Sequence, residues 1–310
     1  MKILYFDDFK LGVLVDGDVV DITDVVEDIP HLERQDIMAG LIANFDTYRT
    51  AIEKHVANSA GVPYDSVRIR PPLPKPANIE CMAVNYMEDG TRDEPAPING
   101  FHKSPSCLIG HGDMMVLEDI PASIFEGEAE LALIIGKRAS HVKAEDAMDY
   151  IFGYTNFIDG SARGLQKPGS NMFYQMKSRE TYAPVGPYIV TADEIDDPQN
   201  LAINLTVNGD VMQSFNSNDM AHNIPRCIEW VSSIHTMEPG DILATGTNHR
   251  GLNAFQDGDV VELECEGMGK LQINIRDDLK RTWSRETRLM RQEKDLPLPN
   301  PQLTGKYAQP

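Results

Sequence analysis

A run of alternating glutamates that leads into an aliphatic segment constrains this chain most. Leu131 to Ile135 is an uninterrupted aliphatic run, which is typical of a strand buried on both faces. Just before it, every second position is a glutamate: Glu126, Glu128 and Glu130. Because side chains alternate faces along a strand, these carboxylates share one face, about 6–7 Å from one to the next. They repel one another and resist burial unless protons or a cation intervene. The stretch therefore predicts a site for a hard divalent cation at the end of a core strand.

A second polar segment supplies a third candidate ligand for the same ion. Asp159 follows the aromatic and β-branched segment 150–155, which is itself typical of a strand. The pair Glu128 and Glu130 on one strand and Asp159 on another would give three carboxylate oxygens. Ligation by oxygen alone favours Mg²⁺, Mn²⁺ or Ca²⁺ over zinc or copper. The competing interpretation is a strand end whose glutamates simply face water.

Length, charge and cysteine usage limit the class of protein. At 310 residues, the chain is long enough for one large domain and a second, smaller domain. Its net charge of −20 argues against nucleic acid or an anionic membrane as a partner. Runs of about 18 apolar residues do not occur, and acids stand near the N-terminus where a signal peptide would be apolar. The four cysteines form no CxxC pair, so we expect reduced thiols in a cytoplasmic protein.

Turn signals and a proline cluster divide the chain into three parts. Residues 1–76 alternate short apolar runs with turns and then continue into a helical pattern, which predicts a small N-terminal α+β domain. Four prolines between positions 69 and 77 mark the boundary with a core of many short strands at 77–280. The remainder, 281–310, is basic and then proline-rich, and predicts an extended tail. The fold class is mixed α/β and rich in β-strands.

Several motifs, taken together in this order and spacing, resemble the fumarylacetoacetate hydrolase family. They cover roughly residues 78–276 and comprise EAELA at 128–132 with IGK at 135–137, GYT at 153–155, DxSARxLQ at 159–166, KS at 177–178 and ATGT at 244–247. The resemblance implies a β-roll core, a homodimer and a magnesium or manganese ion held by Glu128, Glu130 and Asp159. It also implies a small anionic oxo acid as the substrate.

By the same resemblance, several further residues bind the substrate or stabilise its charge. Arg163, Gln166 and Lys177 stand at the family's pocket positions, and Thr247 at the position that holds the substrate carboxylate. A planar guanidinium suits a carboxylate, whereas a lysine offers a point charge beside a forming enolate. We also assign His249, which follows the ATGT motif, to substrate binding.

One departure from the family pattern concerns the catalytic base. Hydrolases of the family carry His and Glu three and six positions after an Asn-Tyr pair, and this dyad activates water. Here the pair is Asn85-Tyr86, and the two positions are Asp89 and Arg92. The base is then Asp89 or Glu88, and the missing imidazole comes from His102 or His249. We take Lys177, Asp89 and His102 as the catalytic candidates. A polar loop at 87–99 would carry the base over the site.

These observations predict a metal-dependent hydrolase that cleaves a C–C bond of a 2-oxo or 2,4-dioxo acid through a metal-stabilised enolate. The altered dyad leaves open an isomerase or tautomerase, a decarboxylase or a hydratase on the same scaffold. A third interpretation is a metabolite-binding protein that keeps the metal but has lost the base.

Overall fold

The computed structural model describes residues 1–165 and 172–308. Within these ranges the strands are β1 (Lys2–Phe6), β2 (Lys10–Val15), β3 (Asp18–Asp21), β4 (Val62–Pro63), β5 (Ile69–Arg70), β6 (Ile79–Met82), β7 (Gly100–His102), β8 (Leu108–Ile109), β9 (Met114–Val116), β10 (Ile124–Ile135), β11 (Ile151–Arg163), β12 (Ala183–Thr191), β13 (Ala202–Val207), β14 (Asp210–Asn216), β15 (Ile242–Ala244), β16 (Val260–Cys265), β17 (Leu271–Arg276), β18 (Thr282–Trp283) and β19 (Gln302–Thr304). The helices are α1 (Arg34–Ala43), α2 (Phe45–Asn58), α3 (Phe173–Lys177), α4 (Ile224–Ile234) and α5 (Arg288–Glu293). None of these helices is both long and apolar enough to cross a bilayer.

The strands form one large sheet and one smaller sheet. The large sheet runs β4-β3-β2-β1-β12-β11-β10-β15-β6-β7, with β5 beside β1 and β8 beside β12. The smaller sheet runs β14-β13-β16-β17-β9, and β18 pairs with β19. Two hairpins follow the predicted turn signals: Asp16-Gly17 joins β2 to β3, and Asn208-Gly209 joins β13 to β14, all four residues with positive φ. The prediction of a β-rich mixed fold is confirmed.

Strand β10 lies at the centre of the molecule, and both of its faces are buried. Leu131, Leu133 and Ile135 pack in a core that also contains side chains of β13, β16 and β17. Ala132 and Ile134, on the opposite face, pack in a second core with side chains of α1. Positions 126, 128 and 130 have the same parity as 132 and 134, so the glutamates continue the face of that second core. The sequence alternation therefore sets which face carries the acids.

The ends of the chain are integrated into the fold more closely than the sequence indicates. Strand β1 pairs with β12, so the N-terminal strands extend the large sheet. The boundary at residue 76 stays a prediction. The C-terminal segment is also more structured than the predicted tail, because Trp283 is buried against Phe125 with ring centroids 5.9 Å apart, and the Arg281 guanidinium lies 4.6 Å from the Phe125 ring centre. These aromatic and cation–π contacts fix the segment beside the start of β10.

Candidate active site

Three buried carboxylates meet where β10 pairs with β11. The antiparallel register sets Glu128 opposite Asp159 and Glu130 opposite Phe157. One oxygen each of Glu128, Glu130 and Asp159 lies within 4.8 Å of the other two. All three side chains are buried. The three predicted ligands are thus brought together by adjacent strands, and we refer to them as the carboxylate triad.

Two buried lysines donate hydrogen bonds to carboxylates of the triad. The Lys177 ammonium at the end of α3 donates to Oε1 of Glu128 at 2.9 Å and also contacts Oδ2 of Asp159. Lys103 donates to the other oxygen of Asp159 at 2.6 Å and to the carbonyl of Gly160 at 3.1 Å. Burial alone would lower the pKa of Lys177, but the charges of Asp159 and Glu128 outweigh burial and raise it. Oxygens of the triad therefore already have positively charged ammonium groups as partners.

Glu130 has a different environment from the other two carboxylates. Its Oε2 accepts the backbone N–H of Gly246 at 2.8 Å, while Oε1 is buried and has no hydrogen-bond partner among the described residues. Burial raises the pKa of Glu130 well above its usual value, and the charges of Asp159 and Glu128 add to the effect. Burial also acts on Glu128, but Lys177, Arg163 and His249 together hold its pKa well below the usual range.

This donor set fits a divalent cation. An unpartnered carboxylate oxygen in a buried site is costly, and a cation bound by the three carboxylates would remove that cost. Three carboxylate oxygens with space for further oxygen ligands suit Mg²⁺, Mn²⁺ or Ca²⁺. A carboxyl group binds a cation only in its deprotonated form, so cation binding at this site favours the deprotonated form of Glu130.

Glu126 shares the face of the triad but has other partners. Arg163 bridges Glu126 and Glu128, and Nη2 of Arg288 donates to Glu126 at 2.6 Å. Burial raises the pKa of Glu126, but the two arginines outweigh it and hold the pKa below the usual value. Arg163, predicted to bind substrate, is therefore engaged with carboxylates of the protein in this structure.

Glu88 and His249, 161 positions apart in sequence, form a carboxylate–imidazole pair. Oε1 of Glu88 lies 2.7 Å from Nδ1 of His249, and Oε2 accepts the backbone N–H of His249 at 2.9 Å. An ionised Glu88 can only accept, so Nδ1 carries the hydrogen and Nε2 keeps a free electron pair. Glu88 is buried and has a φ of 57°, and His249 is close enough to the triad to lower the pKa of Glu128.

A cavity of about 340 Å³ opens beside this pair. It is lined by Glu88, His249 and three arginines, Arg92, Arg250 and Arg288, together with the apolar side chains of Val84 and Leu298 and the polar side chains of Thr91 and Gln292. Arg250 donates to Asp89 at 2.9 Å and Arg288 to Glu126. Nη2 of Arg92 lies 3.8 Å from Oε1 of Glu88, whereas its buried Nε has no hydrogen-bond partner in the described parts of the chain. A cluster of three guanidinium groups gives this acidic protein a local site for anions.

The remaining predicted residues lie in different places. Thr247 is buried, and its hydroxyl accepts from Nε2 of Gln213 at 2.9 Å, while Oε1 of Gln213 accepts the N–H of Ala129 on β10 at 3.0 Å. Asp89 is half exposed and pairs with Arg250. His102 contacts Glu80 and His235, and within the described residues no hydrogen bond or ion pair joins it to the triad. Gln166 lies outside the residues that the structure describes.

Sequence reasoning missed Lys103, Gln213 and Arg288. Lys103 has a weak signal in the sequence. It lies between the apolar residues Phe101 and Cys107, and a lysine in a buried segment needs a partner for its charge. Gln213 and Arg288 have none, because each depends on a contact between distant parts of the chain. The sequence offers Glu88 as an alternative to Asp89 for the base and His249 as an alternative to His102 for the imidazole, but it does not indicate that Glu88 and His249 form a pair.

Comparison with known proteins agrees with this geometry. The family described as fumarylacetoacetate (FAA) hydrolase, C-terminal, matches residues 78–276. Maleylpyruvate hydrolase of Aquipseudomonas alcaligenes is 33% identical over 296 residues, which cover 89% of this chain and 99% of the relative. An oxaloacetate tautomerase of Bacillus subtilis is 37% identical over 221 residues, covering 67% of this chain and 73% of the relative.

Among solved structures, the chain is similar to maleylpyruvate hydrolase from Sphingobium sp. SYK-6 in complex with manganese(II) and pyruvate. The TM-score is 0.81 at 34% sequence identity, and the match covers 89% of this chain and 99% of the other. Since the family match spans residues 78–276 and maleylpyruvate hydrolase of Aquipseudomonas alcaligenes aligns over 99% of its length, the chain belongs to the fumarylacetoacetate hydrolase family.

Proposed function

We propose that this chain is a divalent-metal-dependent hydrolase that cleaves a C–C bond of a small 2-oxo or 2,4-dioxo acid, with maleylpyruvate as the first substrate to test. The observation that carries the proposal is the Glu88–His249 pair beside the carboxylate triad. It supplies a carboxylate and an imidazole to a site whose usual dyad positions hold Asp89 and Arg92. The similarity to two maleylpyruvate hydrolases supports the choice of substrate.

In this proposal the triad holds the cation. Glu128, Glu130 and Asp159 are its ligands, and Mn²⁺ or Mg²⁺ is the ion, with Mn²⁺ supported by the complex of the similar hydrolase. When bound, the cation polarises the oxo group and stabilises negative charge on it. Lys103 keeps Asp159 oriented by bonding the oxygen that Lys177 does not contact.

The pair acts on water. Nε2 of His249 accepts a proton from a water molecule, and that water adds to the carbonyl carbon at the bond to be cleaved. Glu88 keeps the imidazole in the reactive tautomer and stabilises the imidazolium that forms. The C–C bonding electrons pass to the departing 2-oxo acid as an enolate, whose carbon takes up the proton that the His249 imidazolium holds. Lys177, once displaced from the triad oxygens that it now bonds, provides an ammonium to stabilise that enolate.

The cationic cavity is the proposed site for the carboxylate remote from the metal. Arg92 is the principal candidate, because its Nε is buried and has no partner in the described residues. Thr247 and Arg163, and Gln166 by resemblance alone, remain candidates for the carboxylate of the 2-oxo acid end. A substrate with two carboxylates would use both parts of the site.

A tautomerase is the second candidate function. It is supported by the similarity to an oxaloacetate tautomerase and by the absence of the usual His and Glu from positions 89 and 92. Proton transfer between carbon and oxygen of a 2-oxo acid needs a base and charge stabilisation, but it needs no attacking water. The same residues would therefore suffice. We further propose that the protein is a homodimer, as the family resemblance implies.

Steady-state kinetics with Mn²⁺ and with Mg²⁺ tests the function directly. We expect metal-dependent release of pyruvate from maleylpyruvate, abolished by EDTA and by Asp159→Asn. Oxaloacetate tautomerisation is measured in parallel. Turnover of oxaloacetate alone would favour the tautomerase, and absence of turnover across a panel of 2-oxo and 2,4-dioxo acids would leave a metabolite-binding protein as the better interpretation.

A further inference from the structure

A second group of metal-ligating side chains lies apart from the triad. Glu80 on β6 and His102 on β7 stand directly opposite each other in the antiparallel pair, so their side chains share one face. His235 directly follows α4. The three residues present ligand atoms that all lie within 4.8 Å of one another.

Within this group the buried polar atoms face each other without hydrogen bonds. Oε1 of Glu80 lies 2.6 Å from Nε2 of His235, and Oε2 lies 3.0 Å from Nε2 of His102. In the described residues, Oε1 of Glu80 and Nε2 of His235 are nonetheless buried without a hydrogen-bond partner. The Glu80 side chain is only 6% exposed, so water has little access to its carboxyl group. Such an arrangement is costly unless a proton or a cation lies between the groups, and a cation bound by all three residues would satisfy both buried atoms.

The contact made by the other ring nitrogen of His235 indicates which tautomer the imidazole adopts. Nδ1 lies 3.1 Å from the carbonyl oxygen of Thr236. A carbonyl can only accept, so Nδ1 carries a hydrogen and the electron pair of the neutral ring is on Nε2, the ring nitrogen that lies beside Glu80. A metal-binding histidine commonly donates its second ring N–H to a backbone carbonyl in this way.

We infer that Glu80, His102 and His235 form a second metal site, which takes Zn²⁺. Two imidazole nitrogens and a carboxylate are a donor set that suits zinc rather than magnesium or calcium. Tetrahedral zinc with bonds of about 2.0–2.2 Å holds its ligand atoms about 3.3 Å apart, so the 2.6 and 3.0 Å gaps would open by less than 1 Å. His102 is 58% exposed, which leaves the fourth position open to water.

The ion would join parts of the chain that are distant in sequence. It would fasten the residue after α4 to the β6–β7 pair, and His102 immediately precedes Lys103, whose ammonium bonds Asp159 of the triad. The second site is therefore separate from the catalytic one but adjacent to a residue that orients a triad carboxylate.

Zinc binding by the whole protein tests the inference. Equilibrium dialysis against Zn²⁺ is performed with excess Mg²⁺, which competes for the oxygen ligands of the triad but poorly for imidazole. We expect one tightly bound zinc per chain. His102→Ala and His235→Ala should each weaken its binding at least about 100-fold, since even loss of a group that only orients a ligand costs 10–100-fold. His31→Ala, which removes an exposed histidine elsewhere, is the matched control and should bind zinc as the wild type does.

A spectroscopic measurement separates the two sites. With Co²⁺ in place of zinc, the wild type should show the visible absorption of a four-coordinate site with nitrogen ligands. That absorption should persist in Glu128→Ala and vanish in His235→Ala. His102 is exposed, so we expect His102→Ala to fold even if His235→Ala does not. Undiminished zinc binding in His102→Ala and His235→Ala, or no tight zinc in the wild type, would overturn the inference.

Discussion

Replacing Glu88 by glutamine tests the proposed proton transfer most directly. Glu88 accepts two N–H groups of His249, at 2.7 Å from Nδ1 and 2.9 Å from the backbone nitrogen. The glutamine side chain has one acceptor oxygen, so one of these donors would face an NH₂ group instead. The imidazole would then lose both the tautomer and the negative charge that make Nε2 a base.

The expected loss follows from the role of a positioned base. General base catalysis contributes about 10²–10⁴-fold, which corresponds to about 3–5 kcal/mol of transition-state stabilisation. We expect Glu88→Gln and His249→Ala each to lower kcat for maleylpyruvate by a factor in this range, with little change in KM. The unpaired donor should also reduce the free energy of unfolding of Glu88→Gln by about 1–3 kcal/mol. The kcat must therefore be expressed per folded enzyme, measured alongside denaturant unfolding.

The double variant Glu88→Gln/His249→Ala makes the test sharper. If the two residues act as a unit, the double variant is no slower than His249→Ala alone. Asp89→Asn is the control, because Asp89 neighbours Glu88 but is half exposed and pairs only with Arg250 among the described residues, and we expect its effect to be within about 3-fold. Independent, multiplicative losses in the double variant, or full rates in both single variants, would refute the reasoning.

Four other predictions concern the metal, the enolate, the anion site and assembly. Glu130→Gln should weaken Mn²⁺ binding in calorimetry at least about 100-fold, while Glu126→Gln, whose carboxylate is held by two arginines, should bind Mn²⁺ nearly as the wild type does; equal losses would contradict the ligand assignment. Lys177→Met should lower kcat about 10²-fold or more yet tighten Mn²⁺ binding, because the ammonium bonds the same oxygens; weaker Mn²⁺ binding would show that Lys177 supports the cation instead. Arg92→Gln should raise KM for maleylpyruvate about tenfold and leave inhibition by pyruvate, which lacks the second carboxylate, unchanged; a matching change in pyruvate inhibition would place Arg92 at the other end of the substrate. Light scattering at micromolar concentration should give the mass of two chains, and the mass of one chain would contradict the homodimer.

The parts of the site that lie on paired strands could be predicted from the sequence. The two-residue period sets Glu128 and Glu130 on one face, and the aliphatic run after them indicates that the strand is buried. The register that sets Glu128 opposite Asp159 is not encoded locally, since it depends on how two long strands align. The residue types suggested that Glu128, Glu130 and Asp159 share one ion, and the family resemblance implied the same ligands. The structure shows the geometry behind this set.

The contacts between distant loops could not be predicted. Glu88 reaches His249 only because residues 88 to 90 all have positive φ, which turns the chain back on itself. Nothing in the sequence distinguishes Glu88 from Asp89 as the residue that would turn inward. Likewise, His102 was a reasonable candidate by residue type, yet its partner Glu80 becomes evident only when β6 and β7 are paired.

The C-terminal segment has a consequence for the order in which the enzyme is made. Arg288, Gln292 and Leu298 line the cavity beside Glu88, and Arg288 bonds Glu126 on the strand that carries the triad. Synthesis proceeds from the N-terminus, so the sheets can form while this wall of the cavity is still missing. A nascent chain would thus have its metal ligands before it has a closed substrate site. A chain shortened before Arg288 would lack this wall of the cavity but would keep the residues of the carboxylate triad and the Glu88–His249 pair.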